Sequence, residues 1–172
     1  MKNPSSHELE NLLNRGVADI IVREELSARL QKCERLRVYH GIDPTGTQLH
    51  LGHATILRKL RLLQDMGHEV ILLIGDFTAQ IGDPTGKTTQ RVPLTHKQVL
   101  TNAKNYKKQA SKFLRFTGAN PVKIKFNSKW LAKLKFADVL RLGTQFTVQQ
   151  MIERDMFQER LKAGQPIGLH EF

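Results

Sequence analysis

An α/β fold built on a parallel sheet is predicted by three features of this 172-residue chain. Val70-Ile71-Leu72-Leu73-Ile74 is a continuous apolar run ended by Gly75, the pattern of a parallel strand covered on both faces. Arg37 to Ile42 reads as a second short buried strand, closed by the turn signal Asp43-Pro44-Thr45-Gly46. Between them, about Leu51 to Met66 carries Ile56, Leu57, Leu60 and Leu63 at helical spacing, with Gly67 as C-terminal stop. Strand, crossover helix and strand make one βαβ unit, the element of a Rossmann-like sheet. Ligands of such sheets bind at the carboxyl ends of strands, which here are Tyr39 to Asp43 and Gly75 to Thr78.

The flanking elements follow from the same periodicities. Leu9, Leu12, Leu13, Ile20, Leu26 and Leu30 give helical spacing from about Glu8 to Gln31, broken at Gly16 and capped by Ser5 or Ser6. The stretch from Val22 to Leu36 is charged and amphipathic, as on a surface helix. Residues 1–36 are therefore expected to form an N-terminal helical segment, and 37–172 the sheet domain. Thr95 to Phe116 predicts one long helix, with Lys97, Lys104, Lys108 and Arg115 on one side. Val99, Ala103, Tyr106, Ala110 and Phe113 take the other. Lys123 to Phe126 alternates as a strand does, and from Trp130 short helices are expected, capped at Thr147 and Asp155. About three strands are too few for a complete doubly wound sheet. The chain also stops at Phe172 with no closing turn, so a fragment is expected.

Composition narrows the function. At 40% hydrophobic residues the chain suits a globular domain with a sizeable core. It has no apolar run long enough to span a bilayer, no apolar signal core after Met1, and a single cysteine, Cys33, without a zinc-like Cys/His pattern. Together these favour the cytoplasm and no structural metal. The formal charge is +11, and between Asp83 and Asp138 there is no acidic residue but thirteen Lys and Arg. A block of this kind suits a polyanion partner, because neutralised phosphates release counterions. The plain alternative is a solvated basic face.

The richest stretch is Tyr39-His40-Gly41-Ile42-Asp43-Pro44-Thr45-Gly46-Thr47-Gln48-Leu49-His50-Leu51-Gly52-His53. His50 and His53 are three apart and share a face at a helix N-terminus, where free amides and the dipole favour phosphate. Gly52 lets a flat ligand approach the backbone. A lone H-x-x-H is common and more often a surface or core pair; here the tyrosine and the Gly-x-Asp-Pro-Thr-Gly turn strengthen the functional reading. This stretch resembles the "HIGH" signature of the class I aminoacyl-tRNA synthetases, and Tyr39 to Thr45 looks specifically like the bacterial tyrosyl-tRNA synthetases. The resemblance runs from about Val38 to Phe172.

Gly75-Asp76-Phe77-Thr78-Ala79-Gln80-Ile81-Gly82-Asp83-Pro84-Thr85-Gly86-Lys87 carries the second match. It is not a P-loop: Gly82 and Gly86 enclose three residues rather than four, and Val92-Pro93 interrupts the helix that should follow. It resembles the tyrosyl enzymes' own loop. Thr78 and Asp83 suit charge-assisted hydrogen bonds to an α-ammonium group. Asp83 to Gly86 taken alone is an ordinary turn, and Lys87 and Arg91 alone are ordinary loop charges.

The resemblance implies the following roles. Tyr39 meets the substrate's phenol oxygen, with Thr78 and Asp83 on its ammonium group. Gly41, Asp43, Pro44, Thr45 and Gly52 line the ATP site. His50, His53 and Thr45 stabilise the α-phosphate and departing pyrophosphate, with Lys87 and Arg91 gripping the latter. ATP enters as substrate with Mg2+, the other partners are L-tyrosine and tRNA(Tyr), and the complete family member is a homodimer with its interface near Trp130 to Phe172. The family's later tyrosine-pocket helix, its Lys-Met-Ser-Lys-Ser loop and its anticodon-binding region are missing from the sequence, so full activity of the isolated chain is not expected. Tryptophanyl-tRNA synthetase is the nearest rival, opposed by Tyr39 and by the Gly82 to Gly86 loop. A non-catalytic basic RNA-binding module is the rival of a different class, and an inert fragment the plainest alternative.

Overall fold

In the computed structural model, residues 4–81 and 94–171 are described, apart from the side chain of His170. These divide into two compact units: 4–42, 46–74 and 101–125 in the first, 43–45, 75–81, 94–100 and 126–171 in the second.

The first unit holds the sheet. Helix α1 (Ser6–Leu13) starts where Ser5 and Glu8 cap each other's backbone amides. Its last carbonyls are covered by the Lys59 ammonium, which donates to Asn11, Leu12 and Arg15 oxygens. Helix α2 (Arg23–Gln31) is shorter than the Val22 to Leu36 span expected for it. Strand β1 (Arg37–Ile42) runs parallel to β2 (Glu69–Ile74), in register from Arg37 opposite Glu69 to Ile42 opposite Ile74, and β3 (Lys123–Phe126) lies on the other side of β2. Central β2 is buried along most of its length, as its unbroken apolar run requires. Among the described residues β1 pairs on one side only, and its burial alternates, leaving Tyr39 68% exposed, so the expected buried strand is corrected to a half-covered one. Glu69 joins the three strand starts by pairing with Arg37 and Lys123, which hold its carboxyl down to about 2.

Crossover helix α3 (Leu51–Asp65) ends at Gly67, whose φ of 92° is the left-handed turn that glycine supplies without strain. Leu57 and Leu60 are buried as expected, but Ile56 is 40% exposed, while a polar residue of the same helix is buried. Gln64 is 1% exposed because its carboxamide is fully used: it donates to the Arg115 and Asn120 oxygens and accepts the Arg115 amide. Leu12, Leu30, Leu36 and Met66 form an apolar cluster around which Leu26, Val38 and Leu62 pack.

The long helix expected over Thr95 to Phe116 is instead two: α4 (His96–Ala103) and α5 (Tyr106–Ala110). Between them the Lys104 amide bonds back only to Thr101, a tighter turn in a stretch with two asparagines, poor helix formers. The two-sidedness survives the break, with the expected lysines exposed and Val99, Tyr106 and Ala110 buried.

In the second unit, short helices follow as expected: α6 (Ser128–Leu131), α7 (Phe136–Gly143), α8 (Val148–Ile152) and α9 (Asp155–Lys162). Thr147 caps α8 through a reciprocal pair with Gln150. Asp155 is not the cap of α9; Arg154 occupies that position, and Asp155 stands in the first turn, where its charge favours the dipole. Among the described residues no helix is long and apolar enough to cross a membrane.

Candidate nucleotide and amino-acid site

One set of site residues lies in the first unit, on β1 and at the start of α3. His50 occupies the N-cap of α3, and its backbone N–H donates to Nδ1 of His53 at 3.2 Å. The neutral His53 ring therefore carries its proton on Nε2, leaving that atom as a donor. The two rings lie 3.9 Å apart, tilted by 45°. Burial, and then the neighbouring His50, push the His53 imidazole below its ordinary pKa, so it stands neutral near pH 7. A third imidazole joins them. His40 on β1 is lowered by burial and then by His53, and its buried Nε2 has no hydrogen-bond partner among the described residues.

Gly52 is small for a reason beyond ligand access. A methyl group there would stand 3.1 Å from Cε1 and Nδ1 of His50, whose ring lies over the glycine. Gly41 has open space where a side chain would stand, and Tyr39 projects into solvent. The turn entering His50 is held from α5. Tyr106 donates its hydroxyl to the Gly46 oxygen at 2.7 Å, while Gln109 accepts the Leu49 amide at 2.8 Å and donates to the Thr47 oxygen at 2.9 Å.

The other set lies in the second unit. Asp43 to Thr45 make a tight turn around buried Pro44, with the Thr45 amide on the Asp43 oxygen at 2.8 Å. Thr78 donates its hydroxyl to Asp43 Oδ1 at 2.8 Å and accepts from Asn127 Nδ2 at 3.0 Å. Asn127, 7% exposed, is fixed in turn because its Oδ1 accepts the Phe77 amide. Asp76 is 2% exposed and accepts the Ser128 amide. The result is a directed chain, Asn127 to Thr78 to Asp43, which sets where the carboxylate points. Gly75 makes it possible: a methyl group there would overlap Asp43 Oδ1 and crowd Thr78 Oγ1.

The structure thus gathers His50 and His53 with His40, and Asp43 with Thr78. Asp83, Lys87 and Arg91 lie outside the described residues. Sequence reading missed Asn127, Tyr106 and Gln109. Asn127 had a signal, since it follows β3 at its carboxyl end, where such sheets bind ligands. Tyr106 and Gln109 had none beyond helical spacing. Among the described residues, no three His, Cys, Asp or Glu side chains are grouped to hold a metal ion.

Comparison with known proteins fits this geometry. The model of the family "tRNA synthetases class I (W and Y)" matches residues 31–172. The tyrosine–tRNA ligase of Carboxydothermus hydrogenoformans is 52% identical over 167 residues, covering 94% of this chain and 39% of that protein. That of Thermotoga maritima is 48% identical over 165 residues, covering 96% and 40%. Among solved structures, a C-terminally truncated mitochondrial tyrosyl-tRNA synthetase of Aspergillus nidulans superposes with a TM-score of 0.80 at 25% identity, over 95% of this chain and 49% of that one. The chain spans about two fifths of the length of the curated relatives it matches. With its paired histidines at a helix start and its parallel sheet, it belongs to the class I tRNA synthetases of the tryptophan and tyrosine group.

Proposed function

We propose that this chain carries the amino-acid-activating motifs of a tyrosine–tRNA ligase, which joins L-tyrosine to ATP as tyrosyl-adenylate, releases pyrophosphate, and passes the tyrosyl group to tRNA(Tyr). The observation that carries the reading is His53: a neutral imidazole, its Nδ1 engaged by the helix N-cap amide, offers Nε2–H at a helix start. Helix N-terminal amides and such a donor suit an α-phosphate gaining charge as the tyrosine carboxylate attacks it. The His53 Nε2–H and the positive end of the α3 dipole both stand where that negative charge develops. No protein nucleophile is needed; the chemistry is positioning and electrostatics.

The remaining roles extend this scheme. Tyr39 takes the substrate phenol, Thr78 and Asp83 its ammonium end, and Gly41, Asp43, Pro44, Thr45 and Gly52 the nucleotide. Mg2+ arrives with ATP, and Lys87 and Arg91 hold the leaving pyrophosphate. The protein works in the cytoplasm as a homodimer. The apolar side of α7, with Phe136 77% and Leu140 57% exposed, supports a subunit contact. Tyr39 and the Gly82 to Gly86 loop favour tyrosine over tryptophan, and the names of the relatives support the same choice.

Tyrosine-dependent ATP–pyrophosphate exchange on the 172-residue chain tests this, with tryptophan as control. Exchange with tyrosine alone is the expected result once the family's Lys-Met-Ser-Lys-Ser region is joined to the chain, and the isolated chain is expected to be weak or inactive. Exchange with tryptophan alone overturns the substrate. Absence of both, with salt-sensitive tRNA binding that survives loss of His50 and His53, favours the non-catalytic RNA-binding reading.

A further inference from the structure

Helix α5 has two faces with different employment. The inner one holds the turn before His50 through Tyr106 and Gln109. The outer one, with its flanks, presents Lys104, Lys107, Lys108 and Lys112, all exposed and none in an ion pair among the described residues. Other cations nearby are treated differently. Arg37 and Lys123 share Glu69, and Arg61 and Arg115 share Asp65. Lys107 rests its ammonium 5.7 Å from the Phe116 ring centre, a contact that leaves its charge uncompensated.

Four like charges within nine residues repel one another in the isolated chain. That cost is relieved by a polyanion supplied from outside. Lys107 and Lys108 stand on α5 and Lys104 and Lys112 on the turns that flank it, close enough in the chain to meet neighbouring phosphates of one strand. Lysines are compact point charges that fit phosphates without a fixed angle. The Phe116 ring is already covered by Lys107, so the surface offers backbone contacts rather than a stacking platform.

We infer that Lys104, Lys107, Lys108 and Lys112 form a docking surface for the phosphate backbone of RNA, tied by the opposite face of α5 to the turn entering His50. The choice of RNA over other polyanions rests on the proposed ligase reading; the cluster itself does not. No base is read here, so the surface contributes affinity and salt dependence but not sequence choice.

The test is fluorescence anisotropy of labelled tRNA with the 172-residue chain across about 50 to 200 mM salt. Two fourfold variants are compared after circular dichroism confirms both are folded. One replaces Lys104, Lys107, Lys108 and Lys112 by glutamine; the other replaces Lys125, Lys129, Lys133 and Lys135. The first should lose roughly tenfold or more in affinity, and its slope of log affinity against log salt should shrink by about three. The second should lose less than half as much. Equal losses would show only net charge, and an unchanged first variant would remove the surface; either overturns the inference. So would a polyglutamate chain that binds as tightly as tRNA through the same four lysines. Pyrophosphate exchange, measured separately, reports on the ligase reading whatever the RNA result.

Discussion

The two sets of site residues are built in opposite ways. Around His50 and His53 the contacts are local: one backbone amide reaches three residues along the chain, the rings touch, and His50 stays exposed. Around Asp43 and Thr78 they are distant. Thr78 meets Asp43 across 35 positions, Asn127 meets Thr78 across 49, and the anchoring Asn127 is nearly buried. Phosphates that gain charge during a reaction are well served by donors at a helix start that need little support. A carboxylate that must hold one direction needs packing on several sides, as the overlap met by any side chain at Gly75 shows. The first arrangement is expected to tolerate mutation structurally and fail chemically; the second to fail in both.

Substitutions sharpen this contrast. His53→Ala should slow tyrosine-dependent exchange in an active enzyme by about 100- to 1000-fold, roughly 3–4 kcal/mol of transition-state stabilisation, with the urea midpoint nearly unchanged. A normal rate would remove the histidine from the chemistry. Gly75→Ala should destabilise by about 1–3 kcal/mol, since Asp43 or the backbone must move, and should weaken tyrosine binding in a calorimetric titration. A variant of wild-type stability would show that the Asp43 turn yields easily. Asn127→Ala, which strands the Phe77 amide and frees Thr78, should cost about 1–3 kcal/mol in chemical unfolding. Tyr106→Phe removes one hydrogen bond from the Gly46 turn and should cost about 0.5–1.5 kcal/mol, with a rise in KM for ATP larger than any fall in kcat.

Acid should separate two further regions. His68 is wholly buried, its Nδ1 accepting the Leu36 amide, and burial followed by Arg35 lowers its pKa. Folding therefore favours the neutral ring. Its contribution is complete above the unfolded value of about 6.5 and is lost as pH falls towards the lower folded value. Glu69, held at about 2 by Lys123 and Arg37, contributes above the unfolded carboxyl value of about 4.3 and loses that contribution as pH drops towards about 2. Unfolding midpoints followed with pH should show the histidine window first, and Glu69→Gln should flatten only the lower one.

Several of these features were legible in the residues alone. The run Val70 to Ile74 has one reading, because a continuous apolar stretch of that length with a glycine stop fits a strand covered on both sides. His50-Leu51-Gly52-His53 was equally plain, since helix geometry alone brings positions three apart together. Ile56 and Gln64 show where periodicity fails. An apolar side chain was left at the surface and an amide drawn inside, because partners 51 and 56 residues away satisfy that amide completely.

By itself, the sequence determined the strand–helix–strand order, the placement of the paired histidines at a helix start, and the acid-free basic block after Asp83. Each depends on neighbours within a turn or two, or on composition. Only the tertiary structure decided that Asn127 directs Thr78 and Asp43, that Tyr106 and Gln109 grip the turn before His50, and that the expected long helix breaks between Ala103 and Tyr106. Those depend on which distant polar groups find one another once apolar surface is buried. No local pattern encodes such pairings, because the partners meet only when the chain has closed on itself.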